Sequence, residues 1–248
     1  MVIGVIPARY ASTRLPFKLL RPLNGKPLIQ WIWESASRAK FLDDLIIACD
    51  DNRIMEAVKG FGGKAVMTSV RHNSGTDRVS EAVRETEADI VINIQADEPL
   101  MQAAVIDALA QEMAVDEKLV MATMKKRITD PADIDNPGVV KVVCDKDGFA
   151  IYFSRYPIPF YRDQYASKVY YKHMGIYAYK KDFLYTFKNL PASSLEDAEK
   201  LEQLRVIEAG YKIKVMETQF DSYGVDTEED LRKVEEIIRS KHAAKGRF

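Results

Sequence analysis

The order of apolar and polar positions alternates between runs typical of buried strands and segments with helical spacing. Residues 2–6 form an apolar run of strand length, and residues 27–39 place Leu28, Ile32 and Ala36 four residues apart, as on one face of a helix. Further strands are expected at 44–48, 65–67 and 89–94, and further helices at 52–61, 76–87 and 102–114. This alternation predicts an α/β fold with a doubly wound, mostly parallel sheet.

From about residue 119 the pattern changes to strand-like runs separated by turns. A Pro- and aromatic-rich segment at 156–161 is expected to be a loop. The predicted strands cover 119–124, 139–144, 149–153, 174–179 and 211–218, and the predicted helices 181–189, 198–209 and 228–243. We interpret this half as an insertion and lid joined to the same sheet, within one domain over 1–248.

Composition excludes several classes of protein. Lys and Arg number 36 against 37 Asp and Glu, a balance that argues against general nucleic-acid binding. The two cysteines lie far apart, so neither a disulfide framework nor a metal-ligand spacing is indicated, and Cys49 ends an apolar run as a buried thiol would. We find no secretory leader and no apolar run of about 18 residues, and expect a cytoplasmic protein without a membrane span.

The loop that follows the first predicted strand carries the most informative chemistry. Arg9, Ser12, Arg14 and Lys18 fall within ten residues, directly after the strand ends. In open α/β sheets ligands bind outside the carboxyl ends of the strands. Guanidinium forks, an ammonium and hydroxyl donors suit phosphate oxygens. The loop therefore favours a polyphosphate site, although a solvated basic surface loop is the simpler alternative.

Two acidic turns each follow a predicted strand. Asp97 lies just after the buried run 89–94, and Asp226 lies just after the run 211–218. Mg²⁺ prefers one or two carboxylates together with phosphate oxygens, so both are candidate ligands. Asp226 is equally a candidate N-cap of the last helix. Ser74 and Thr76, in the turn that opens the helix at 76–87, are candidates for an N-cap or for backbone binding of phosphate or a base.

Nine stretches, taken in order, resemble the 3-deoxy-manno-octulosonate cytidylyltransferase (CMP-Kdo synthetase) family over nearly the whole chain. Any one of them is weak evidence, but together and in register they are specific. They are IPARYASTRLPFK (6–18), NGKPLI (24–29), HNSGTDRV (72–79), VINIQADEP (91–99), NPGVVKVV (136–143), YFSRYPIP (152–159), KHMGIYAY (172–179), AEKLEQLRVIEAG (198–210) and GVDTEEDL (224–231).

The resemblance implies a nucleotidyltransferase that joins CTP to Kdo, a 2-keto-3-deoxy sugar acid, giving CMP-Kdo and pyrophosphate for lipopolysaccharide biosynthesis. It also implies a nucleotide-diphospho-sugar transferase-like fold, Mg²⁺, a homodimer, and a role for about 125–185 in sugar binding and dimerisation. Transfer to 8-amino-Kdo or a nonulosonic acid stays open, as does a CTP-binding protein with little turnover. A nucleic-acid-binding module fits the charge balance badly.

Carried over position by position, the resemblance assigns roles to residues of this chain. Arg14, Lys18, Asp97 and Asp226 would be catalytic, and the two carboxylates would hold Mg²⁺. The nucleotide would be bound by Arg9, Ser12, Arg14, Lys18, Ser74, Gly75, Thr76 and Arg78. The sugar acid would be bound by Gln95, Arg155, His173, Tyr177, Glu202 and Gln203. No general base is assigned.

Two positions depart from the family pattern. Phe17 stands where the family usually has glycine before the lysine, and Ala96 stands where it usually has glycine before the aspartate. A side chain needs room and restricts the backbone, above all where φ is positive. We expect these residues to alter how Lys18 reaches the phosphates and how the turn at Asp97 is shaped.

Overall fold

The computed structural model describes residues 1–12, 14–72, 74–163 and 167–245, the last five of these by their backbone alone. The strands are β1 (Val2–Ala8), β2 (Pro22–Leu23), β3 (Lys26–Pro27), β4 (Asp44–Cys49), β5 (Ala65–Met67), β6 (Ile90–Asn93), β7 (Met121–Arg127), β8 (Lys141–Cys144), β9 (Ala150–Ser154), β10 (Tyr171–Lys180) and β11 (Lys214–Glu217). The helices are α1 (Leu28–Ala36), α2 (Asn52–Gly60), α3 (Gly75–Ala82), α4 (Ala103–Val115), α5 (Ala132–Asp135), α6 (Lys181–Asn189), α7 (Ser194–Glu199), α8 (Leu204–Glu208) and α9 (Glu228–Lys245), and Lys18–Leu20 form a 3-10 turn.

The chain divides into two compact units, and unit 1 comprises Met1–Ala88, Asn93–Asp107 and Asp221–Phe248. In it β1, β4 and β5 are parallel neighbours, with Ile3 opposite Asp44 at one end of the register. Helices α2 and α3 pack against these strands. Apolar runs that are buried throughout are typical of parallel strands covered by helices, and both β1 and β4 are such runs.

The polar segments of unit 1 meet at one edge of these strands. The chain leaves β1 and β4 there, into the loop 9–18 and the turn at Asp50. The Ile94 amide donates to the Val5 carbonyl at 2.9 Å, which brings the segment after β6 to the same edge. The Val225 amide donates to the Asp97 carbonyl at 2.8 Å and adds the turn before α9. Backbone pairing therefore gathers sequence-distant loops around one site.

Unit 2 comprises Asp89–Ile92 and Ala108–Phe220. In it β7 pairs antiparallel with β10 and parallel with β11, and β8 pairs antiparallel with β9 and β10. Helix α6 packs on β10, and α8 contacts both α7 and β9. The predicted change of pattern near residue 119 is confirmed, because parallel and antiparallel pairing mix here. The lid and the boundaries of the inserted subregion, 125–185, stay predictions.

The sequence pattern is wrong about the helix predicted over 198–209. Two short helices, α7 and α8, take its place, because Lys200 adopts a left-handed backbone with φ 53° that ends α7. Apolar spacing continues across this break, so the pattern alone does not reveal it. Glu202 and Gln203 consequently lie in the turn between the two helices and not on the face of one.

Other boundaries differ less. Helix α3 ends at Ala82 and α1 at Ala36, both before the predicted ends, and β11 begins at Lys214. The hairpin of β2 and β3 was not predicted, although its turn Asn24-Gly25 is a strong hairpin signal. Both turn residues have positive φ, 47° and 80°, as the signal requires. In the part of the chain that the structure describes, no helix is long and apolar enough to cross a membrane.

Candidate active site

A cavity of about 420 Å³ in unit 1 collects most of the predicted nucleotide-site residues. Its walls come from the loop after β1, the start of α3, the turn after β6 and the turn before α9. These segments are distant in sequence, and the parallel strands bring them to one edge. The lining residues are Pro7, Arg9, Ser12, Arg14, Lys18, Leu19, His72, Ser74, Gly75, Arg78, Gln95, Ala96, Asp97 and Asp226.

Lys18 lies between the two carboxylates that the sequence analysis selected as metal ligands. Its Nζ is 2.9 Å from Asp97 Oδ2 and 3.0 Å from Asp226 Oδ1, and its side chain is only 12% exposed. Arg14 Nη2 is 2.9 Å from Asp226 Oδ2, on a side chain that is 69% exposed. Both cations are thus paired with carboxylates in this structure, and Arg14 retains access to solvent.

The two carboxylates fit a magnesium ion that arrives with a triphosphate. One ammonium contacts Asp97 and Asp226 at once, so a single cation reaches both. Among the described residues, no cluster of three or more His, Cys, Asp or Glu side chains is arranged to hold a metal. Magnesium does not need such a cluster, because it is commonly held by one or two carboxylates together with substrate phosphates and water. The donor set therefore suits a metal shared with a nucleotide.

We call residues 9–18 the phosphate loop after the role predicted for them, and the residue of this loop that departs from the family pattern is in a strained conformation. Phe17 has φ 55° and ψ 30°, in the left-handed region that favours glycine. The positive φ expected to penalise a side chain is therefore present at Phe17. Ala96 is not among the described residues with positive φ, so alanine carries no such penalty there.

The turn before α3 supplies a helix start to the cavity wall. Ser74 is the N-cap, and its hydroxyl accepts a hydrogen bond from the Asp77 amide at 3.1 Å. Ser74 therefore has the capping role that was its alternative, while still lining the cavity. A Cβ at Gly75 would lie 3.5 Å from the Pro7 ring, so the turn approaches β1 closely. Thr76 is buried and does not contribute to the lining.

Arg78 lies at the base of the cavity and is held by buried partners. Its Nη2 donates to Asp50 Oδ2 at 2.9 Å, and its Nη1 donates to the Thr68 hydroxyl at 2.6 Å. The side chains of Arg78 and Asp50 are 5% and 13% exposed. Such a pair fixes the guanidinium, so Arg78 presents a rigid positive edge to the cavity.

The hydrogen bonds at the start of α9 show whether Asp226 is the N-cap of that helix. The Asp230 amide donates to the Thr227 hydroxyl, and Asp230 Oδ2 accepts from the Thr227 amide. Thr227 is therefore the N-cap, and the Asp226 carboxylate is left for Lys18 and Arg14.

Glu98 is a buried carboxyl next to Asp97 that sequence reasoning did not select. It is buried beside Asp97, and within the described part of the chain its Oε2 has no hydrogen-bond partner. Burial and, next, the charge of Asp97 raise the pKa of Glu98 to about 7, although a hydrogen bond with Ser222 opposes the rise. In the sequence, Glu98 is marked only by its position next to Asp97, and an acidic turn does not indicate that one of its carboxyl groups is buried.

In unit 2, the Arg155 side chain donates hydrogen bonds to two other segments of the chain. Its Nε donates to the Glu199 carbonyl at 2.7 Å and its Nη1 to the Pro137 carbonyl at 2.9 Å. Lys141, which is fully buried, donates at 2.6 Å to the Arg155 carbonyl. Arginine has five N–H donors, so these bonds leave others for a carboxylate. Arg155 thus shapes the turn that leads to Glu202 as well as offering a candidate anion site.

His173, Tyr177 and Glu202 lie together in unit 2. The His173 and Tyr177 ring centroids are 5.4 Å apart, and His173 also packs edge-on against Phe153 at 4.9 Å. Burial lowers the pKa of His173 to about 3, so the imidazole is neutral. Burial, and then the charge of Glu202, raise the pKa of Tyr177 above its usual value.

A hydrogen bond assigns the tautomer of His173. The Thr123 hydroxyl lies 2.7 Å from the Ile176 carbonyl and 3.0 Å from His173 Nε2. A hydroxyl has one hydrogen, and the shorter contact to the carbonyl takes it. His173 Nε2 then donates to Thr123, and Nδ1 is an acceptor.

The remaining sugar-site candidates divide between the units. Gln95 lines the cavity of unit 1, where its Nε2 donates to Asn93 Oδ1 at 3.4 Å. Gln203 belongs to unit 2 and is 4% exposed, directly before α8. Unit 2 thus holds Arg155, His173, Tyr177, Glu202 and Gln203.

Known proteins resemble this chain over nearly its whole length. Residues 3–213 match the model of a family described as cytidylyltransferase. A 3-deoxy-manno-octulosonate cytidylyltransferase of Solibacter usitatus is 48% identical over 239 residues, covering 96% of this chain and 95% of the relative. The enzyme of that name from Geobacter metallireducens is 46% identical over 247 residues, covering 96% and 97%.

A solved structure of CMP:2-keto-3-deoxy-manno-octonic acid synthetase complexed with CTP superimposes with a TM-score of 0.93. It is 43% identical and covers 97% of this chain and 99% of its own. A 4-diphosphocytidyl-2C-methyl-D-erythritol synthase of Anaerococcus prevotii, 13% identical with a TM-score of 0.64, shares the fold. These likenesses confirm the predicted α/β fold with a mostly parallel sheet. The chain belongs to the cytidylyltransferases, and among them to the 3-deoxy-manno-octulosonate cytidylyltransferase family.

Proposed function

We infer that this chain is a nucleotidyltransferase that transfers CMP from CTP to the anomeric hydroxyl of Kdo, giving CMP-Kdo and pyrophosphate. The observation that carries the inference is one cavity in which Arg9, Arg14 and Lys18 converge with two carboxylates. The 48% identity to a named relative over 96% of the chain specifies the two substrates.

The reaction needs charge neutralisation and orientation more than covalent chemistry. The 2-hydroxyl oxygen of the sugar forms a bond to the α-phosphorus, the bond from that phosphorus to the bridging oxygen breaks, and pyrophosphate leaves with its electron pair. The hydroxyl proton passes to solvent. Arg9, Arg14 and Lys18 stabilise the triphosphate charge, with Ser12 as a hydroxyl donor in the same loop. Ser74, Gly75, Thr76 and Arg78 belong to the segment that we assign to cytosine and ribose.

Asp97 and Asp226 would hold the Mg²⁺ that accompanies the nucleotide. A bound Mg²⁺ supplies Lewis-acid polarisation of phosphoryl oxygens. The Lys18 ammonium, which pairs with both carboxylates in this structure, would be freed by a divalent cation held there. It is then available to pair with a phosphate oxygen, which suits a mobile point charge.

The sugar acid is assigned to Gln95, Arg155, His173, Tyr177, Glu202 and Gln203. A polyol acid needs a cationic donor for its carboxylate and several directional partners for its hydroxyls, and Arg155 with this polar set supplies them. His173 is neutral, so its Nδ1 accepts a hydrogen bond from a sugar hydroxyl. We assign no general base to it.

Pyrophosphate release with CTP and Mg²⁺ tests the proposal, with Kdo, 8-amino-Kdo and N-acetylneuraminate supplied in parallel. We expect release with Kdo to be fastest. Release only with another acid would keep the chemistry and replace the substrate. CTP binding without release in every mixture would favour a binding protein with little turnover.

Three further expectations belong to the same proposal. We propose that the product supplies lipopolysaccharide biosynthesis and that the enzyme works in the cytoplasm, as the family resemblance implies. We also propose a homodimer. Its support is an exposed apolar stretch of unit 2, in which Ile151, Tyr156 and Phe160 are 57%, 78% and 86% exposed.

A further inference from the structure

The phosphate loop ends with an aromatic residue in a conformation that side chains rarely adopt. Phe17 has φ 55°, and half of its surface is exposed. Glycine enters the left-handed region freely, whereas a bulky side chain there is an outlier. Core burial does not explain the choice of residue. Backbone outliers persist where the surroundings hold them, and they concentrate at functional sites.

A stack of side chains holds Phe17 in place. Its ring centroid is 4.6 Å from that of Tyr10, and the Arg53 guanidinium carbon is 3.6 Å from the Tyr10 centroid. Arg53 is fixed in turn by Asp51, with Nε at 2.8 Å from Oδ1 and Nη2 at 2.6 Å from Oδ2. Aromatic pairs and guanidinium–aromatic contacts of this geometry are attractive. We name Phe17, Tyr10 and Arg53 the aromatic latch.

The latch brackets the phosphate loop. Tyr10 directly follows Arg9, and Phe17 directly precedes Lys18, so each latch ring is next in sequence to a cation that lines the cavity. Contact between the two rings therefore fixes the separation of the two ends of the loop.

The latch is also tied to the floor of the cavity. The Tyr10 amide donates to Asp50 Oδ1 at 2.8 Å, and Asp50 Oδ2 accepts from Arg78 at 2.9 Å. The 3-10 turn that begins after Phe17 contacts α2, the helix that carries Arg53. These contacts thus connect the phosphate loop to the buried Arg78–Asp50 ion pair and to α2.

We propose that the aromatic latch is a positioning device that shapes the phosphate loop before the nucleotide arrives. Phe17, Tyr10 and Arg53 raise the affinity for the triphosphate of CTP without contacting it. A loop that is ordered in advance loses less conformational entropy when it binds. The ligand named here rests on the proposed function, whereas the ordering of the free loop does not.

Two variants remove the stack in different ways. Phe17→Asn keeps a residue that tolerates the left-handed backbone and deletes the ring, and Tyr10→Ala deletes the other ring. Phe17→Tyr retains the stack as the conservative variant. Phe41→Ala is the matched control, because Phe41 is a comparably exposed aromatic residue of unit 1, 47% against 50%, outside the cavity lining.

Calorimetric titration of each variant with CTP and Mg²⁺ measures the first consequence. We expect Phe17→Asn and Tyr10→Ala each to weaken CTP binding by about fivefold, to leave kcat at saturating CTP unchanged, and to be non-additive when combined. Phe17→Tyr and Phe41→Ala should bind as the wild type does. Wild-type affinity in both Phe17→Asn and Tyr10→Ala, or fully additive losses, would overturn the proposal.

Hydrogen exchange of the ligand-free proteins separates this inference from the proposed function. We expect amides of the phosphate loop to exchange faster in Phe17→Asn and Tyr10→Ala, with exchange elsewhere unchanged. If the wild type binds no CTP but the loop loses protection in these variants, the proposed function fails and the latch stands. Unchanged protection of the loop would refute the latch whatever the enzyme binds.

Discussion

At the scale of the residue, the position of Lys18 determines which charged groups of the site pair with each other. Its ammonium contacts both Asp97 and Asp226, at 2.9 and 3.0 Å, and its side chain is only 12% exposed. Two carboxylates around one cation attract a divalent ion as well as an ammonium. If Asp97 and Asp226 hold the proposed Mg²⁺, Lys18 would compete with that ion for these oxygens in the free enzyme and would be available to the phosphates once the ion is bound.

Replacement of Lys18 tests this competition. In Lys18→Met the carboxylates lose their internal cation, so free Mn²⁺ should bind about tenfold more tightly in the absence of CTP. Electron paramagnetic resonance of unbound Mn²⁺ measures this directly. The same variant should lose most turnover, because a phosphate partner is gone. Equal or weaker Mn²⁺ binding in Lys18→Met would show that the ammonium does not occupy the metal position.

Asp97 is the second residue whose role can be isolated. Asp97→Asn keeps the size of the side chain and removes the charge, so we expect pyrophosphate release to fall by about 100-fold or more while the thermal midpoint stays near that of the wild type. Glu56→Gln, an exposed acidic position of α2, is the control for loss of one negative charge. An active and folded Asp97→Asn enzyme would show that Asp97 is not a metal ligand.

At the scale of the element, strand β10 carries two of the side chains that we propose for the sugar acid, and they are four residues apart. His173 and Tyr177 both lie on it, and a register shift between Met174 and Tyr177 lies between them. An irregularity of this kind re-aims side chains, and the two rings lie with their centroids 5.4 Å apart. The sequence shows a strand with alternating aromatics, and Gly175 within it is a signal of an irregularity but not of its size.

The pKa of the partly exposed His173 predicts how stability depends on pH. Its pKa is lowered to about 3 in the folded protein, while the unfolded value is near 6.5. The unfolded chain therefore binds the proton first, and stability falls as the pH drops below about 6.5 towards 3. From pH 7 to pH 5 this group should cost about 2 kcal/mol of unfolding free energy.

Urea unfolding at both pH values measures the effect. Because His173→Gln has no titrating ring, it should lose about 2 kcal/mol less than the wild type over the same interval. Equal losses in the two proteins would show that His173 is solvated or already protonated. Activity is not needed for the measurement, so the result is independent of the sugar acid bound.

At the scale of the whole molecule, exposed apolar side chains predict that the chain associates with a second copy. Unit 2 exposes Ile151, Tyr156 and Phe160 within ten residues, more apolar surface than scattered side chains usually give. A second copy of the chain would cover such a stretch symmetrically. This expectation agrees with the homodimer that the family resemblance implies.

Light scattering coupled to size exclusion tests the assembly. We expect the wild type to have twice the mass of its 28.2 kDa chain. The double variant Tyr156→Asp with Phe160→Asp should shift towards the monomer, because buried charges oppose association. Val115→Asp alters another highly exposed apolar residue and should remain dimeric. A monomeric wild type would exclude the proposed homodimer.

The sequence by itself determined the alternation of strands and helices and the position of the phosphate loop after β1. Such features follow from local periodicity and from the residue types that phosphate and magnesium require. The same local rules missed the break at Lys200 and the burial of Glu98. Neither leaves a mark in the spacing of apolar residues.

Only the tertiary structure decided which of these groups meet. Lys18 is 79 residues from Asp97 and 208 from Asp226, yet its ammonium bonds to both. The strain at Phe17, its contact with Tyr10 and the contact of Tyr10 with Arg53 likewise depend on how the loop packs against α2. Contacts across such separations are set by strand register and core packing, which integrate the whole chain, and no short stretch of sequence encodes them.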